Sequence, residues 1–146
     1  FIFCIMFFFF SNVSHLKIFL YAFLLTCVAS DVGGFFFGKI FKGPKLTKLS
    51  PNKTYSGVFG SIVLACLTLG LSYFYLTKNI SLEIIMTAVI ISIASQGGDL
   101  FFSLLKRKAK IKDTGSILPG HGGVLDRLDS ILFGIPFGFL SFILFI

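Results

Sequence analysis

The sequence has few charged residues and no tryptophan. Asp, Glu, Lys and Arg together make up 13% of its 146 residues, about half of the roughly 25% that is usual in soluble domains. This shortage argues against water as the main solvent of the chain. The absence of Trp leaves only four Tyr as residues of the type that anchors proteins at membrane interfaces.

Several common site motifs are also missing. Cys4, Cys27 and Cys66 lie singly in apolar runs, so the sequence has neither a CxxC pair nor zinc-finger spacing, and we interpret the cysteines as packing residues. No GxxxxGK[ST] phosphate loop occurs, and basic and aromatic residues do not alternate as in a nucleic-acid platform. The net charge of +7 therefore indicates membrane topology and an anionic lipid or nucleotide partner, not nucleic acid.

Long apolar segments dominate the chain. Hydrophobic residues make up 55% of it, 21 of them Phe, and the mean hydropathy is +0.96. Because about 20 apolar residues cross a bilayer as a helix, we expect an all-α, polytopic transmembrane protein. The predicted spans are residues 16–30, 57–76, 82–102 and 130–146, and residues 1–10 are interpreted as the tail of a further membrane helix.

Two basic loops separate these spans. Residues 31–56 and 103–129 contain eleven of the 13 Lys and Arg residues. Two spans lie between the loops, so both loops are expected on one side of the membrane. The positive-inside rule assigns that side to the cytoplasm, and the short turns at 11–15 and 77–81 then face the opposite side.

This topology also gathers the acids. Five of the six are expected at the cytoplasmic face, and Glu83 lies elsewhere. The five are Asp31, Asp99, Asp113, Asp126 and Asp129. Asp126 and Asp129 share one side of a helix if the helix already begins at Asp126, although capping of the helix N-terminus would also explain them.

Asp99 follows Gly97 and Gly98 inside an apolar segment. An ionised Asp at the centre of a membrane helix costs roughly 2.5–3.5 kcal/mol, and glycines allow a backbone or a phosphate to approach closely. An ion pair with Lys106 or Arg107 is one explanation. A metal or ligand site is the other, because Mg²⁺ prefers carboxylate and phosphate oxygens.

Two loop segments are candidate phosphate contacts. Residues 119–123 read Pro-Gly-His-Gly-Gly, a turn whose amides can face an anion, although His121 could equally be structural. Ser50, Lys53 and Thr54 offer hydroxyls and a charge just before a span, although a solvated basic loop that binds anionic lipid would look the same.

The residues from Ser103 to Asp129 resemble the signature of the phosphatidate cytidylyltransferases (CDP-diacylglycerol synthases). The matching positions are Ser103, Lys106, Arg107, Lys112, Asp113, residues 118–123 and residues 126–129. Asp31, Gly38-Lys39, residues 50–54 and Gly98-Asp99 also resemble this family. The resemblance covers roughly residues 16–146, which correspond to the C-terminal part of such enzymes.

The resemblance implies transfer of the cytidylyl group of CTP to phosphatidate, which gives CDP-diacylglycerol and pyrophosphate and depends on Mg²⁺. It implies Asp99 and Asp126 as metal ligands, with Asp129 and Asp31 next. The residues expected to hold phosphates or to act at the catalytic centre are Lys106, Arg107, His121 and Arg127. Those expected in substrate binding are Ser50, Lys53, Thr54, Lys112, Asp113, Gly122 and Gly123.

The resemblance further implies one membrane-embedded domain over residues 1–146, without the extra N-terminal spans of family members. It implies a bacterial-type inner membrane, an active site facing the cytoplasm, and CTP, phosphatidate and membrane lipids as partners. A homodimer is compatible with it. Two alternatives stay open: a CTP-dependent polyprenol or phytol kinase, and an inactive fragment that serves as a non-catalytic membrane subunit or small transporter.

Overall fold

The computed structural model describes residues 14–46, 53–110 and 125–145, and the side chains of 17–46, 53–110 and 128–145. Over these ranges the secondary structure is helical apart from one antiparallel bridge between Lys45 and Thr54. The helices are α1 (Ser14–Phe41), α2 (Tyr55–Thr77), α3 (Leu82–Lys108) and α4 (Leu125–Phe145).

All four helices are long and apolar enough to cross a membrane. The candidate spans run from 18 to 27 residues, against the roughly 20 residues that a bilayer requires. The predicted all-α transmembrane architecture is thereby confirmed, and the chain is an integral membrane protein. Residues 1–10, interpreted from sequence as part of another helix, lie outside the described residues.

The predicted beginning of the first basic loop at Asp31 is wrong. Helix α1 continues past Asp31 to Phe41, so this carboxylate lies within the helix and not at its end. The glycines after Asp31 do not stop the helix because they pack against α2. The helix stops before Gly43-Pro44, where the Pro disfavours helical backbone at the preceding residue.

The predicted limits of the second basic loop are also wrong. Helix α3 continues to Lys108, and α4 already begins at Leu125. Lys106, Arg107 and Lys108 therefore occupy the last turn of α3, where positive charge complements the negative end of the helix dipole. The basic residues that suggested a loop instead stabilise a helix end.

The described parts of both basic segments lie at one end of the bundle, as predicted. The end of α1 and the start of α2 are joined by a hydrogen bond from the amide of Leu46 to the carbonyl of Lys53. Lys53 contacts α3 through Asp99, and Ser130 of α4 contacts Asp31 of α1. We call this end, where Asp31, Lys53, Asp99 and Ser130 meet, the polar end. Glu83 lies in the first turn of α3, at the opposite end.

The interior away from the polar end is mainly apolar, and the buried hydroxyls of Thr26, Thr87 and Ser141 donate to backbone oxygens of their own helices. Phe23 and Phe139 are almost fully buried and their rings meet edge to face, with 5.4 Å between centroids. Ile84 and Ile91 of α3 complete this core with Leu69 of α2. The buried core therefore fixes the helices relative to one another at a distance from the polar end.

Helices α1 and α2 approach closely because small residues face each other. A Cβ atom added to Gly33 would lie 2.6 Å from the carbonyl oxygen of Gly60, and one added to Gly57 would lie 2.7 Å from that of Gly34. Helix association in membranes depends on such close packing, since lipid removes most of the hydrophobic drive between helices. These glycines bring the start of α2 against the segment of α1 that follows Asp31.

Gly98 has the same role between α3 and α4. A Cβ atom at Gly98 would lie 2.6 Å from the carbonyl oxygen of Asp129, whereas one at Gly97 would meet nothing within 4 Å. The carbonyl oxygen that packs against Gly98 belongs to Asp129 itself. The absence of a side chain at position 98 therefore sets the distance between the two segments that carry Asp99 and Asp129.

The neighbouring glycines provide a matched test. Gly98→Ala is expected to lower the free energy of unfolding by about 1–3 kcal/mol, since the added methyl group overpacks a backbone contact. Gly97→Ala is expected to be neutral or to stabilise by up to about 1 kcal/mol, because Ala is the better helix former. The melting temperature of each purified variant in neutral detergent measures the difference. Equal melting temperatures for the two variants would contradict the close contact at Gly98.

Candidate functional site

A cavity of about 320 Å³ opens at the polar end of the bundle. Its volume falls in the range of small-molecule sites, which is about 300–1,000 Å³. All four helices contribute to its wall, together with the residues just before α2. The lining residues are Asp31, Gly34, Phe35, Lys53, Thr54, Gly57, Val58, Ser61, Gln96, Asp99, Asp129 and Ser130.

Three carboxylates from three helices line this cavity: Asp31 of α1, Asp99 of α3 and Asp129 of α4. Asp99 and Asp129 lie on facing segments of α3 and α4, since the carbonyl oxygen of Asp129 packs against Gly98, and the Ser130 hydroxyl joins Asp31 to the same segment of α4. The side chain of Asp129 is only 8% exposed and that of Asp99 is 33% exposed. Like charges at such positions repel one another, so the cavity favours a positively charged occupant.

Two lysines partly balance these acids. The Nζ atom of Lys53 lies 2.6 Å from Oδ2 of Asp99 and donates a hydrogen bond to the backbone oxygen of Gln96 at 3.4 Å. The Nζ atom of Lys106 lies 3.8 Å from Oδ2 of Asp129. The sequence allowed Lys106 or Arg107 as an ion-pair partner of Asp99. The structure pairs Asp99 with Lys53, which is distant in sequence.

Ser130 holds two of the three carboxylates. Its hydroxyl donates to Oδ2 of Asp31 at 2.7 Å, and its amide donates to Oδ1 of Asp129 at 2.9 Å. The Ser130 side chain is buried, so few other orientations are open to it. One residue of α4 thereby fixes a carboxylate of α1 and a carboxylate of its own helix.

Sequence reasoning missed Ser130, Gln96 and Ser61. Ser130 directly follows Asp129, and a hydroxyl beside a functional acid was a signal that could have been used. Gln96 stands three residues before Asp99, and the two side chains therefore share one face of α3. Ser61 gave no signal, because a serine in a membrane helix is commonly a packing residue.

The start of α2 forms an anion-favouring side of the cavity. Thr54 caps this helix, and its hydroxyl accepts a hydrogen bond from the amide of Gly57 at 3.2 Å. Thr54 and Gly57 both line the cavity beside Lys53. The N-terminus of a helix carries partial positive charge and unpaired amides, which favour phosphate. The cavity thus combines a cation-favouring wall of carboxylates with an anion-favouring wall.

Of the remaining predicted residues, only Lys106 and Arg107 have described side chains, and neither lines the cavity. Arg107 is exposed in the last turn of α3. Ser50, Lys112, Asp113, His121, Gly122 and Gly123 lie outside the described residues, as do the side chains of Asp126 and Arg127. Their assignments stay predictions, as do the metal-ligand roles of Asp31, Asp99, Asp126 and Asp129.

The donor set around the cavity suits a hard divalent cation. Mg²⁺ prefers oxygen ligands and takes one or two carboxylates together with substrate phosphates and water, and Asp31, Asp99 and Asp129 offer such oxygens. Within the described ranges, however, no group of three His, Cys, Asp or Glu side chains already surrounds one point as a metal site would. The three carboxylates therefore suit a cation whose coordination shell also includes ligand phosphates. Among the described residues they do not form a closed metal site by themselves.

Comparison with known proteins identifies relatives of this chain. The family model described as "Cytidylyltransferase family" matches residues 1–145. A phosphatidate cytidylyltransferase of Helicobacter pylori (strain J99) is 47% identical over 114 residues, which cover 76% of this chain and 42% of that protein. The corresponding protein of Rickettsia felis is 44% identical, over 83% of this chain and 58% of the relative.

A third phosphatidate cytidylyltransferase, from Staphylococcus haemolyticus, is 38% identical over 133 residues, or 90% of this chain and 51% of that protein. The chain thus spans about half the length of the curated relatives that it matches. The family resemblance noted in the sequence is confirmed by a match over almost all of the chain. This helical membrane protein, with its carboxylate-lined cavity, belongs to the cytidylyltransferase family.

Proposed function

We propose that the chain transfers the cytidylyl group of CTP to phosphatidate, giving CDP-diacylglycerol and pyrophosphate. The observation that carries the proposal is the cavity at the polar end, where Asp31, Asp99 and Asp129 face Lys53 and the start of α2. Such a cavity can hold a cation and a polyphosphate together. The name of the relatives, phosphatidate cytidylyltransferase, supports this choice of substrates.

In this reaction a phosphatidate oxygen attacks the α-phosphorus of CTP. A new P–O bond forms, the bond from the α-phosphorus to the bridging oxygen breaks, and the β- and γ-phosphates leave as pyrophosphate. Lys53 and the amides at the start of α2 bind phosphate oxygens and orient them toward the carboxylates. The phosphatidate oxygen is already ionised near neutral pH, so the chain needs no general base to activate it.

Further basic residues are assigned to the phosphates. Lys106 and Arg107 in the last turn of α3 lie at the same end of the bundle as the cavity. His121 and Arg127 are assigned to the catalytic centre, and the residues assigned with Lys53 to substrate binding are Ser50, Thr54, Lys112, Asp113, Gly122 and Gly123. The positive charges of the lysines and arginines and the backbone amides of Gly122 and Gly123 would stabilise the charge that develops on the leaving pyrophosphate.

The carboxylates of Asp31, Asp99 and Asp129, with Asp126, would hold Mg²⁺ as the cofactor. When bound, the cation supplies charge neutralisation to the phosphates and helps to align them. Ser130 acts through Asp31 and Asp129, because it donates a hydrogen bond to each carboxylate. It is therefore a positioning residue in the proposal.

We also infer that the polar end faces the cytoplasm of a bacterial-type inner membrane. The basic residues at this end support that orientation under the positive-inside rule, and CTP is a cytoplasmic nucleotide. Phosphatidate would then enter from the surrounding leaflet. Its phosphate would approach the polar end while its acyl chains remain among the apolar helices. A homodimeric assembly stays a prediction.

Asp99→Asn is expected to reduce the formation of CDP-diacylglycerol by a factor on the order of 100 or more, because it removes a carboxylate charge that the proposal assigns to the cation beside the reacting phosphates. The measurement follows transfer of label from [α-³²P]CTP into lipid, with phosphatidate in mixed micelles and Mg²⁺. Glu83→Gln is the control, since Glu83 is an exposed acid at the opposite end of the same helix. The proposal would be refuted if Asp99→Asn formed product as fast as the unsubstituted chain. It would also be refuted if the unsubstituted 146-residue chain formed no product.

Ser130→Ala is expected to lower kcat/KM by about tenfold and to raise the Mg²⁺ concentration needed for half-maximal rate, because partners of metal ligands typically contribute 10–100-fold. Ser141→Ala is the matched control. Ser141 is also a buried serine of α4, but its hydroxyl donates within the helix, to the carbonyl oxygen of Gly138. An equal effect of the two substitutions, or an unchanged Mg²⁺ requirement in Ser130→Ala, would show that Ser130 has no positioning role.

A further inference from the structure

The Lys53 ammonium group lies on an oxygen that the proposed function assigns to a metal ion. Its Nζ atom is 2.6 Å from Oδ2 of Asp99 and also contacts the backbone oxygen of Gln96. The pair joins two parts of the fold, since Lys53 lies just before α2 and Asp99 lies in α3. Both side chains are partly open, at 23% and 33% exposure, and both line the cavity.

The backbone of Lys53 is fixed while its side chain can move. The Lys53 carbonyl accepts a hydrogen bond from the amide of Leu46 at 2.8 Å, and the next residue, Thr54, caps α2. A lysine head group sits on a flexible four-carbon stem with rotatable donors. The ammonium group can therefore exchange partners inside the cavity without any change in the helices.

Two cations cannot share Oδ2 of Asp99 at low cost. A Mg²⁺ ion binds a carboxylate oxygen at about 2.0–2.1 Å, so it would lie within about 5 Å of an ammonium group that kept its 2.6 Å contact. Repulsion between a double and a single positive charge at that distance is large at the dielectric constants of partly buried sites. Cation binding at Asp99 therefore favours departure of Lys53.

The cavity contains a second position in which the Lys53 ammonium group could be paired with an anion. Thr54 and Gly57 at the start of α2 line the wall next to it, and this helix N-terminus favours phosphate. A bound polyphosphate would present anionic oxygens to Lys53 just where it leaves the carboxylate. The ammonium group would then exchange one anionic partner for another and remain paired throughout.

We propose that Lys53 is an exchangeable counter-ion: it neutralises Asp99 while no nucleotide is bound, and it moves to a nucleotide phosphate when the divalent cation takes its place. This inference rests on the proposed function, because it needs Asp99 as a cation ligand. It makes cation and nucleotide binding mutually dependent. Each ligand removes a cost of binding the other, and by linkage the coupling must be equal in both directions.

Lys53→Gln should change the affinities for Mg²⁺ and for nucleotide in opposite directions. Lys53→Gln removes the competing ammonium group, so Mg²⁺ alone should bind roughly tenfold more tightly. The same substitution removes a phosphate contact, so a CTP analogue with a methylene bridge between the α- and β-phosphates should bind roughly tenfold more weakly. The enhancement of Mg²⁺ affinity by the analogue, present in the unsubstituted chain, should largely disappear.

Calorimetric titration of the full 146-residue chain in neutral detergent measures these affinities. Mg²⁺ is titrated with and without the methylene analogue of CTP. Lys45→Gln is the matched control, because Lys45 is an exposed lysine of the same connection that does not line the cavity. Lys53→Arg keeps the charge and should keep the weaker affinity for Mg²⁺ alone. The melting temperature of each variant checks that it is folded.

The outcomes separate the two proposals. If Asp99→Asn abolishes Mg²⁺ binding but Lys53→Gln leaves it unchanged or weaker, the exchange is refuted and the proposed function stands. If Lys45→Gln tightens Mg²⁺ binding as much as Lys53→Gln, a general loss of surface charge explains the effect and the exchange is refuted as well. If the unsubstituted chain and Lys53→Gln both fail to bind Mg²⁺ with and without the analogue, both proposals are overturned.

Discussion

Carboxylates that repel one another are held together in this protein by the close packing of the helices that carry them. Asp129 lies on α4 at the point where its own carbonyl oxygen touches Gly98, and Asp99 is the next residue of α3. The helices cannot separate to relieve the repulsion without losing this contact and the apolar core behind it. Packing between the helices thus keeps these carboxylates near one another in spite of their mutual repulsion.

The same constraint explains the distribution of polar contacts around the cavity. Each acid has a partner that stabilises its charge: Lys53 for Asp99, Lys106 for Asp129 and the hydroxyl of Ser130 for Asp31. Fixed hydrogen-bond donors and movable ammonium groups differ in what they allow. Ser130 is buried and holds the carboxylates of Asp31 and Asp129 in place, whereas the ammonium group of Lys53 sits on a flexible stem. The carboxylates of the site are therefore fixed in position, whereas the ammonium group beside them can take more than one position.

Much of the fold followed from the sequence because its physical cause is local. The need for about 20 apolar residues per span predicted four helices, and the order of basic segments predicted that their ends meet. The limits of the helices were less predictable. Asp31 and the glycines after it looked like a loop, but they belong to α1 because the glycines pack against α2. That packing is a tertiary effect and has no local signal.

The candidate site was predictable in its acids and less so in their partners. An acid in an apolar segment is costly, so Asp99 was prominent in the sequence. The pairing of Lys53 with Asp99 joins residues that are far apart in the chain, and only the packing of α2 and α3 brings them together. Ser130 was missed although it directly follows Asp129, because its hydroxyl binds Asp31 of another helix, and only the packing of α1 against α4 brings the two together.

Chemical cross-linking tests most directly whether packing brings the carboxylates of α3 and α4 together. In a chain whose native cysteines are replaced by alanine, the pair Asp99→Cys and Asp129→Cys would be treated in membranes with a short bifunctional thiosulfonate reagent, then cleaved between the helices and analysed for linked fragments. We expect efficient linkage of this pair and none for the control pair Glu83→Cys and Asp129→Cys, whose positions lie at opposite ends of the bundle. Absence of linkage between positions 99 and 129, with both thiols shown to be reactive, would contradict the account.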